Sequence, residues 1–271
     1  MSVLDDIIVG VKEDLQDRKS AVSTLQLRDM AAATAPALDA FAALGGNDAP
    51  RAHLRVIAEV KRKSPSKGDL AHIADPSVLA RSYADGGAAV ISVLTEQRRF
   101  GGSLQDLDVV RSSVQVPLLR KDFTVDAYQV LEARAHGADL ILLIVAALSD
   151  AQLTELMGLS HELGMNVLVE VHTVEEVERA VAANARIIGV NVRNLKTLDI
   201  DRSVFASLAE TIPAGSLIVA ESGVRDVADV EHFASLGANA ILVGEALVRN
   251  NNPQEAIETF SRAGAAVIAN R

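Results

Sequence analysis

From Arg55 onward, short β-branched runs alternate with Ala- and Glu-rich amphipathic segments, and this rhythm predicts an α/β fold: a (β/α)8 TIM barrel with an N-terminal helical extension. Three observations carry the prediction. Eight strand-like runs stand in strict alternation with helix-like ones. The composition is 49% hydrophobic but only 3% aromatic, without Trp, so Val, Ile, Leu and Ala must build the core, which suits a parallel sheet covered by helices. Neither GxGxxG nor GxxxxGK[ST] occurs, whereas the open doubly wound alternative usually displays a Gly-rich turn after its first strand. A barrel of this kind takes ~250 residues. We therefore expect one domain over residues 1–271, with 1–50 as the extension.

In the extension, Leu4, Ile7, Ile8, Val11 and Leu15 recur at helical spacing, with Ser2 placed to cap the first turn. A second, Ala-rich helical stretch is expected over Thr34 to Leu44, after which "GGNDAP" breaks the chain. The strand candidates are "RVIAEVKR", "AVISVL", "PLLRKDF", "DLILLIVAAL", "NVLVEVH", "RIIGVNVRN", "SLIVAES" and "AILVGEA". Between them lie helix candidates such as "PSVLARSYADGG", "DAYQVLEARAHG" and "TVEEVERAVAANA", several ending in Gly or Asn as C-terminal caps do. "HGADL" and "LGANAI" repeat one helix-to-strand turn.

The net charge of −10 argues against a general nucleic-acid binder, so an anionic ligand needs a local basic cluster. With no Cys there is no disulfide framework, thiolate zinc site or thiol nucleophile, which fits a cytoplasmic setting. Asp5 and Asp6 stand where a signal peptide would be basic. The longest apolar run, Leu140 to Leu148, is far short of the ~18 residues of a membrane span and reads as a buried strand, so no membrane association is expected. The six His residues show no H-E-x-x-H pair, and no metal is expected. His172 reads as a polar residue of the rim.

Barrel active sites are built at the C-terminal ends of the strands. Those ends carry Glu59 and Lys61 on the first strand, Lys121 and Phe123 on the third, and Glu170 on the fifth. Asn191 and Arg193 end the sixth, Glu221, Ser222 and Gly223 the seventh, and Gly244 and Glu245 the eighth. Alternation puts Glu59 with Lys61, Lys121 with Phe123, and Asn191 with Arg193 on one face. If those faces point inward, three carboxylates, two Lys and one Arg converge on one cavity, as paired acid–base chemistry on an anionic substrate requires. A stabilising ring of ion pairs is the alternative. Small residues in "ESGV" and "VGEA" free main-chain N–H groups for a phosphate. "KSPSKG", with Ser64, reads as a flexible loop able to close over a ligand.

"EVKRKSPSKG", "LRKDF", "LVEVH", "GVNVRNLKT", "ESGV" and "VGEAL" together resemble the indole-3-glycerol-phosphate synthase family of tryptophan biosynthesis. The motifs fall in the family's order, and the resemblance extends over the whole chain, extension included. "EQRRFGGS" resembles the family's loop after the second strand, with Phe100 as an apolar contact. The resemblance implies a carboxy-lyase without cofactor, acting on a phosphorylated anthranilate–ribulose compound, 1-(2-carboxyphenylamino)-1-deoxyribulose 5-phosphate. It implies Lys121 as proton donor at ring closure and Glu59, Lys61 and Glu170 as the acid–base groups of dehydration. Asn191, Arg193, Glu221 and Ser222 would position the substrate, and Phe123 would hold the aromatic ring. Association with other tryptophan-pathway enzymes is a further expectation. Two rivals are phosphoribosylanthranilate isomerase, whose family uses a Cys base that this chain lacks, and an inactive barrel kept as a binding partner.

Overall fold

The computed structural model describes residues 2–47, 53–65, 68–70, 73–195, 197–249 and 252–270. Eight parallel strands close into a barrel in sequence order. They are β1 (Arg55–Val60), β2 (Val90–Leu94), β3 (Leu118–Lys121), β4 (Leu140–Ile144), β5 (Asn166–Val171), β6 (Ile187–Asn191), β7 (Leu217–Glu221) and β8 (Ala240–Val243). β1 pairs with both β2 and β8, which closes the ring. The helices between strands are α4 (Pro76–Asp85), α5 (Leu104–Arg111), α6 (Ala127–Ala135), α7 (Asp150–Glu162), α8 (Val174–Ala182), α9 (Val204–Ala209) and α10 (Val227–Ser235), and a short α11 (Glu245–Val248) and α12 (Pro253–Ala269) follow β8.

Period-2 alternation sorts each strand between two apolar clusters. Outward residues such as Val56, Ala58, Ile91, Val93, Val167, Val169 and Ile188 pack beneath the helices. Inward residues such as Ile57, Val90, Leu119, Leu140, Leu168, Ile187, Val219 and Leu242 fill the barrel. Two residues further along the strands, the same alternation turns Glu59, Lys121, Glu170 and Glu221 inward, and four residues beyond Ile187 it turns Asn191 inward. The repeated turn has a physical role. Asp139 Oδ2 accepts the Leu118 N–H at 2.8 Å, and Asn239 Oδ1 accepts the Ile218 N–H at 2.7 Å, each tying a strand's start to its neighbour. Gly137 and Gly237 supply the left-handed backbone there, at φ 79° and 100°.

The extension wraps the barrel from top to bottom. Helix α1 (Val3–Ala21) starts at Ser2, whose side chain and that of Asp5 form a reciprocal capping box. Its Leu4, Ile7, Val11 and Leu15 are buried. Val3, Leu4 and Ile7 border the cavity at the mouth, while Arg18 reaches Glu132 of α6 at 3.0 Å. The second helix is not over Thr34 to Leu44. It is α2 (Thr24–Ala33), capped by Ser23 with Gln26, and it ends where Thr34 turns extended. Pro36, which lacks an N–H and disfavours helix before it, keeps the Ala-rich stretch open until the four-residue α3 (Ala40–Ala43). There Phe41 and Leu44 close the bottom of the barrel interior. Asn166 Oδ1 accepts the Phe41 N–H at 3.1 Å, and the Arg186 guanidinium lies 3.7 Å from the Phe41 ring centre.

Candidate active site

All thirteen residues expected at the site border one cavity of about 610 Å³ at the C-terminal mouth. Glu59, Lys61, Ser64, Lys121, Phe123, Glu170 and Asn191 come from the side of β1 to β6, and Arg193, Glu221, Ser222, Gly223, Gly244 and Glu245 from the side of β6 to β8. Lys61 lies one residue beyond β1, not within it, yet its Nζ is 2.5 Å from Glu59 Oε1. Ser64 belongs to a two-residue antiparallel pairing of Lys63–Ser64 with Gly68–Asp69. Ser66 and Lys67 of that loop lie outside the described residues.

Lys121 stands at the centre. Its Nζ is 3.6 Å from Glu170 Oε2 and 3.6 Å from Glu221 Oε2. Burial alone would lower the pKa of Lys121, but Glu170, Glu221 and Glu59 together raise it, so the ammonium stays charged. The two carboxylates part company. Burial pushes Glu221 up, and the charge of Glu170 adds to the effect. Burial would push Glu170 up too, but Lys121 and His172 hold it below the ordinary carboxylate range. With Glu170 held charged beside Lys121, the protonated form of Glu221 is favoured.

Neighbouring loops shape the rest. Glu96 gathers the loop after β2 by accepting the main-chain N–H groups of Arg98, Arg99 and Phe100 at 3.0, 2.7 and 2.9 Å. This brings the Phe100 ring to 6.0 Å from that of Phe123, and both border the cavity. Behind Lys121, the fully buried Arg120 pairs with Asp122 at 3.0 Å and Glu132 at 2.9 Å, anchoring the end of β3. The Arg193 N–H donates to Asn191 Oδ1 at 3.0 Å, and burial lowers the Arg193 pKa. Ser222 and Gly223 both adopt left-handed backbone, at φ 65° and 78°, turning the chain after β7 toward the cavity. Glu245 begins α11 and pairs with Arg249 at 2.9 Å.

Some functional neighbours escaped the sequence. Arg202, Arg225 and Arg249 border the cavity near Gly223 and Gly244, and no motif marks them. Gly189 was read only as part of a strand, but a Cβ there would come within 2.0 Å of Glu221 Oε1. His172 is not a solvated rim residue. It is mostly buried between Glu170 and Glu176, 3.3 Å from the first and 3.0 Å from the second. The "EVH" spacing, which puts the two side chains on one strand face, was the available signal. Among the described residues, no group of three or more His, Asp or Glu could hold a metal ion, and no helix is long and apolar enough to cross a membrane.

A barrel with a buried ammonium between two inequivalent carboxylates, beside a basic, Gly-lined rim, defines an acid–base enzyme of the (β/α)8 class. A model of the family described as "Indole-3-glycerol phosphate synthase" matches residues 4–260. The indole-3-glycerol phosphate synthase of Paenarthrobacter aurescens is 71% identical over 271 residues, covering 100% of both chains. That of Micrococcus luteus is 57% identical over 267 residues, 98% of this chain and 100% of that one. The chain belongs to the indole-3-glycerol phosphate synthase family. Among solved structures, a 3-hexulose-6-phosphate synthase shares the fold, with a TM-score of 0.64 at 16% identity over 78% of this chain and 99% of that one.

Proposed function

We propose that the chain closes the indole ring of 1-(2-carboxyphenylamino)-1-deoxyribulose 5-phosphate, releasing carbon dioxide and water to give indole-3-glycerol phosphate. The observation that carries this reading is Lys121, a charged donor held 3.6 Å from each of two carboxylates in the one cavity. The ring carbon bearing the carboxylate bonds to the ribulose carbonyl carbon. Charge gathers on the carbonyl oxygen, where the Lys121 ammonium stabilises it and gives up a proton. Carbon dioxide then leaves, and its bonding pair restores the aromatic ring. In the last step the new hydroxyl departs as water with a proton from Lys61, steadied by Glu59. Glu170 takes a proton from the neighbouring carbon of the five-membered ring. Two protons are given and one taken, which matches the one proton that loss of carbon dioxide from a carboxylate consumes.

Binding follows the same geometry. Phe100 and Phe123 flank the aromatic ring, and Asn191, Arg193 and Glu221 orient the ribulose chain. The phosphate takes main-chain N–H groups near Ser222, Gly223, Gly244 and Glu245, with Arg202 and Arg225 supplying charge. The cytoplasm is the compartment we assign, and association with other tryptophan-pathway enzymes is part of the same reading. Mixing the protein with the carboxyphenylamino substrate should produce indole fluorescence. No fluorescence from folded protein at saturating substrate would refute the reading.

A further inference from the structure

The two oxygens of Glu170 have different surroundings. Oε1 accepts from Asn191 Nδ2 at 3.0 Å and forms an ion pair with His172 Nε2 at 3.3 Å, outside hydrogen-bond geometry. Oε2 is buried without a hydrogen-bond partner, 3.6 Å from Lys121 Nζ. The groups on Oε1 are themselves fixed. The Arg193 N–H holds the Asn191 amide oxygen at 3.0 Å, which sets the amide so that its nitrogen faces Glu170. His172 is gripped from the far side by Glu176, whose Oε2 accepts the His172 main-chain N–H at 2.7 Å and lies 3.0 Å from Nδ1. Glu176 is placed in turn by the first turn of α8, its N–H donating to Thr173 Oγ1 at 3.2 Å. His172 does not border the cavity, so whatever it does for the reaction passes through Glu170.

A carboxylate faces each ring nitrogen, and carboxylates only accept, so both nitrogens carry protons. Burial alone would favour the neutral ring, but Glu170 and Glu176 raise the His172 pKa to about 10.

We propose that His172 is a positioning residue for Glu170: with Asn191 it holds Oε1, leaving Oε2 as the oxygen that meets the substrate proton. This rests on the reading of Glu170 as the proton acceptor. A free carboxylate on a strand end can rotate about its terminal torsion and offer either oxygen. A hydrogen bond from Asn191 and an ion pair with His172 on one oxygen restrict that freedom and favour one angle for the other.

The test measures kcat and KM on the full chain with the carboxyphenylamino substrate. His172→Ala should lower kcat by about tenfold or more, as expected when a buried carboxylate loses its ion-pair partner, with KM held within about twofold. His172→Gln, which returns an N–H donor, should recover most of that loss. In a Glu170→Gln background, where no carboxylate remains to be aimed, His172→Ala should change kcat less than about twofold, as residues acting as one unit do. Parental kcat in His172→Ala, or an equal loss in the Glu170→Gln background, overturns the proposal. If His172→Ala does not fold, Glu176→Gln loosens the ring from behind, and a fall in kcat at constant KM supports the proposal while unchanged kcat overturns it. Glu170→Gln with parental turnover would defeat the assignment of Glu170 and this proposal with it, and that result is visible without any His172 variant.

Discussion

Gly189 makes the room that the Glu221 carboxylate occupies: a Cβ on Gly189 would stand 2.0 Å from Glu221 Oε1 and 3.2 Å from Leu168 Cδ1. Gly189 faces the barrel interior between Ile187 and Asn191, two residues from each. Gly189→Ala should therefore push the Glu221 carboxylate out of its place beside Lys121. Turnover should fall at least as far as in Glu221→Gln, and overpacking should cost about 1–3 kcal/mol of stability. Steady-state kinetics with a denaturant titration checks both. Parental turnover in Gly189→Ala would show that Glu221 need not sit there.

Lys121→Met keeps the length of the side chain and removes the donor. Ring closure should slow by about 100-fold or more, as expected for loss of a general acid. Stability at neutral pH should fall as well, because Glu170 loses the cation that compensates its buried charge. Single-turnover fluorescence and a thermal melt on the same sample separate the two effects. Turnover near the parental rate would pass the role of acid at ring closure to Lys61.

The raised pKa of Glu221 gives a pH signature. Its folded pKa is raised from 4.5 to about 8, first by burial and then by the charge of Glu170. Below 4.5 both folded and unfolded chains hold the proton, and the contribution to stability is complete. Between 4.5 and about 8 only the folded chain holds it, so stability falls as pH rises, by up to about 1.4 kcal/mol per pH unit. His172, raised from 6.5 to about 10, declines in the same direction over its own window. Glu170, lowered, changes only below 4.5. The difference between Glu221→Gln and the parent isolates Glu221, and it should move in favour of the variant from pH 5 to pH 8. A constant difference would mean that folding does not raise the Glu221 pKa.

The turn after β7 is tested at Gly223, with φ 78° and the position of an added Cβ 3.1 Å from Val192 Cγ2. Gly223→Val places a β-branched side chain in left-handed backbone and crowds the proposed phosphate contacts. KM should rise by about tenfold or more, the cost of one lost charge-assisted hydrogen bond, with a smaller change in kcat. An unchanged KM would move the phosphate elsewhere along the rim.

Much of the molecule was legible because it depends on period. The alternation that buries Ile57, Leu119 and Leu168 also carries Glu59, Lys121 and Glu170 inward, so strand pattern alone brought the charged residues to one face. The helix at Thr24–Ala33 was legible too, in the Ser23 and Gln26 capping pair, but Ala content drew the expectation past Pro36. Helix propensity is a weak guide where a proline breaks the ladder.

By itself the sequence determined the barrel, its strand order and the residues at its mouth, since these follow from local periodicity and from short motifs read along the chain. Only the tertiary structure decided how those residues pair. Glu170 and Glu221 carry the same side chain at equivalent strand ends, yet Lys121, His172 and Asn191 lower the pKa of the first while burial and the charge of Glu170 raise that of the second. That difference depends on distances between strands far apart in sequence. The same holds for Gly189 against Glu221 across the β6–β7 pair, for Phe41 closing the bottom of the barrel, and for Arg202 beside Gly223. Burial and charge act through space over a few ångströms, and the linear order of residues does not contain those distances.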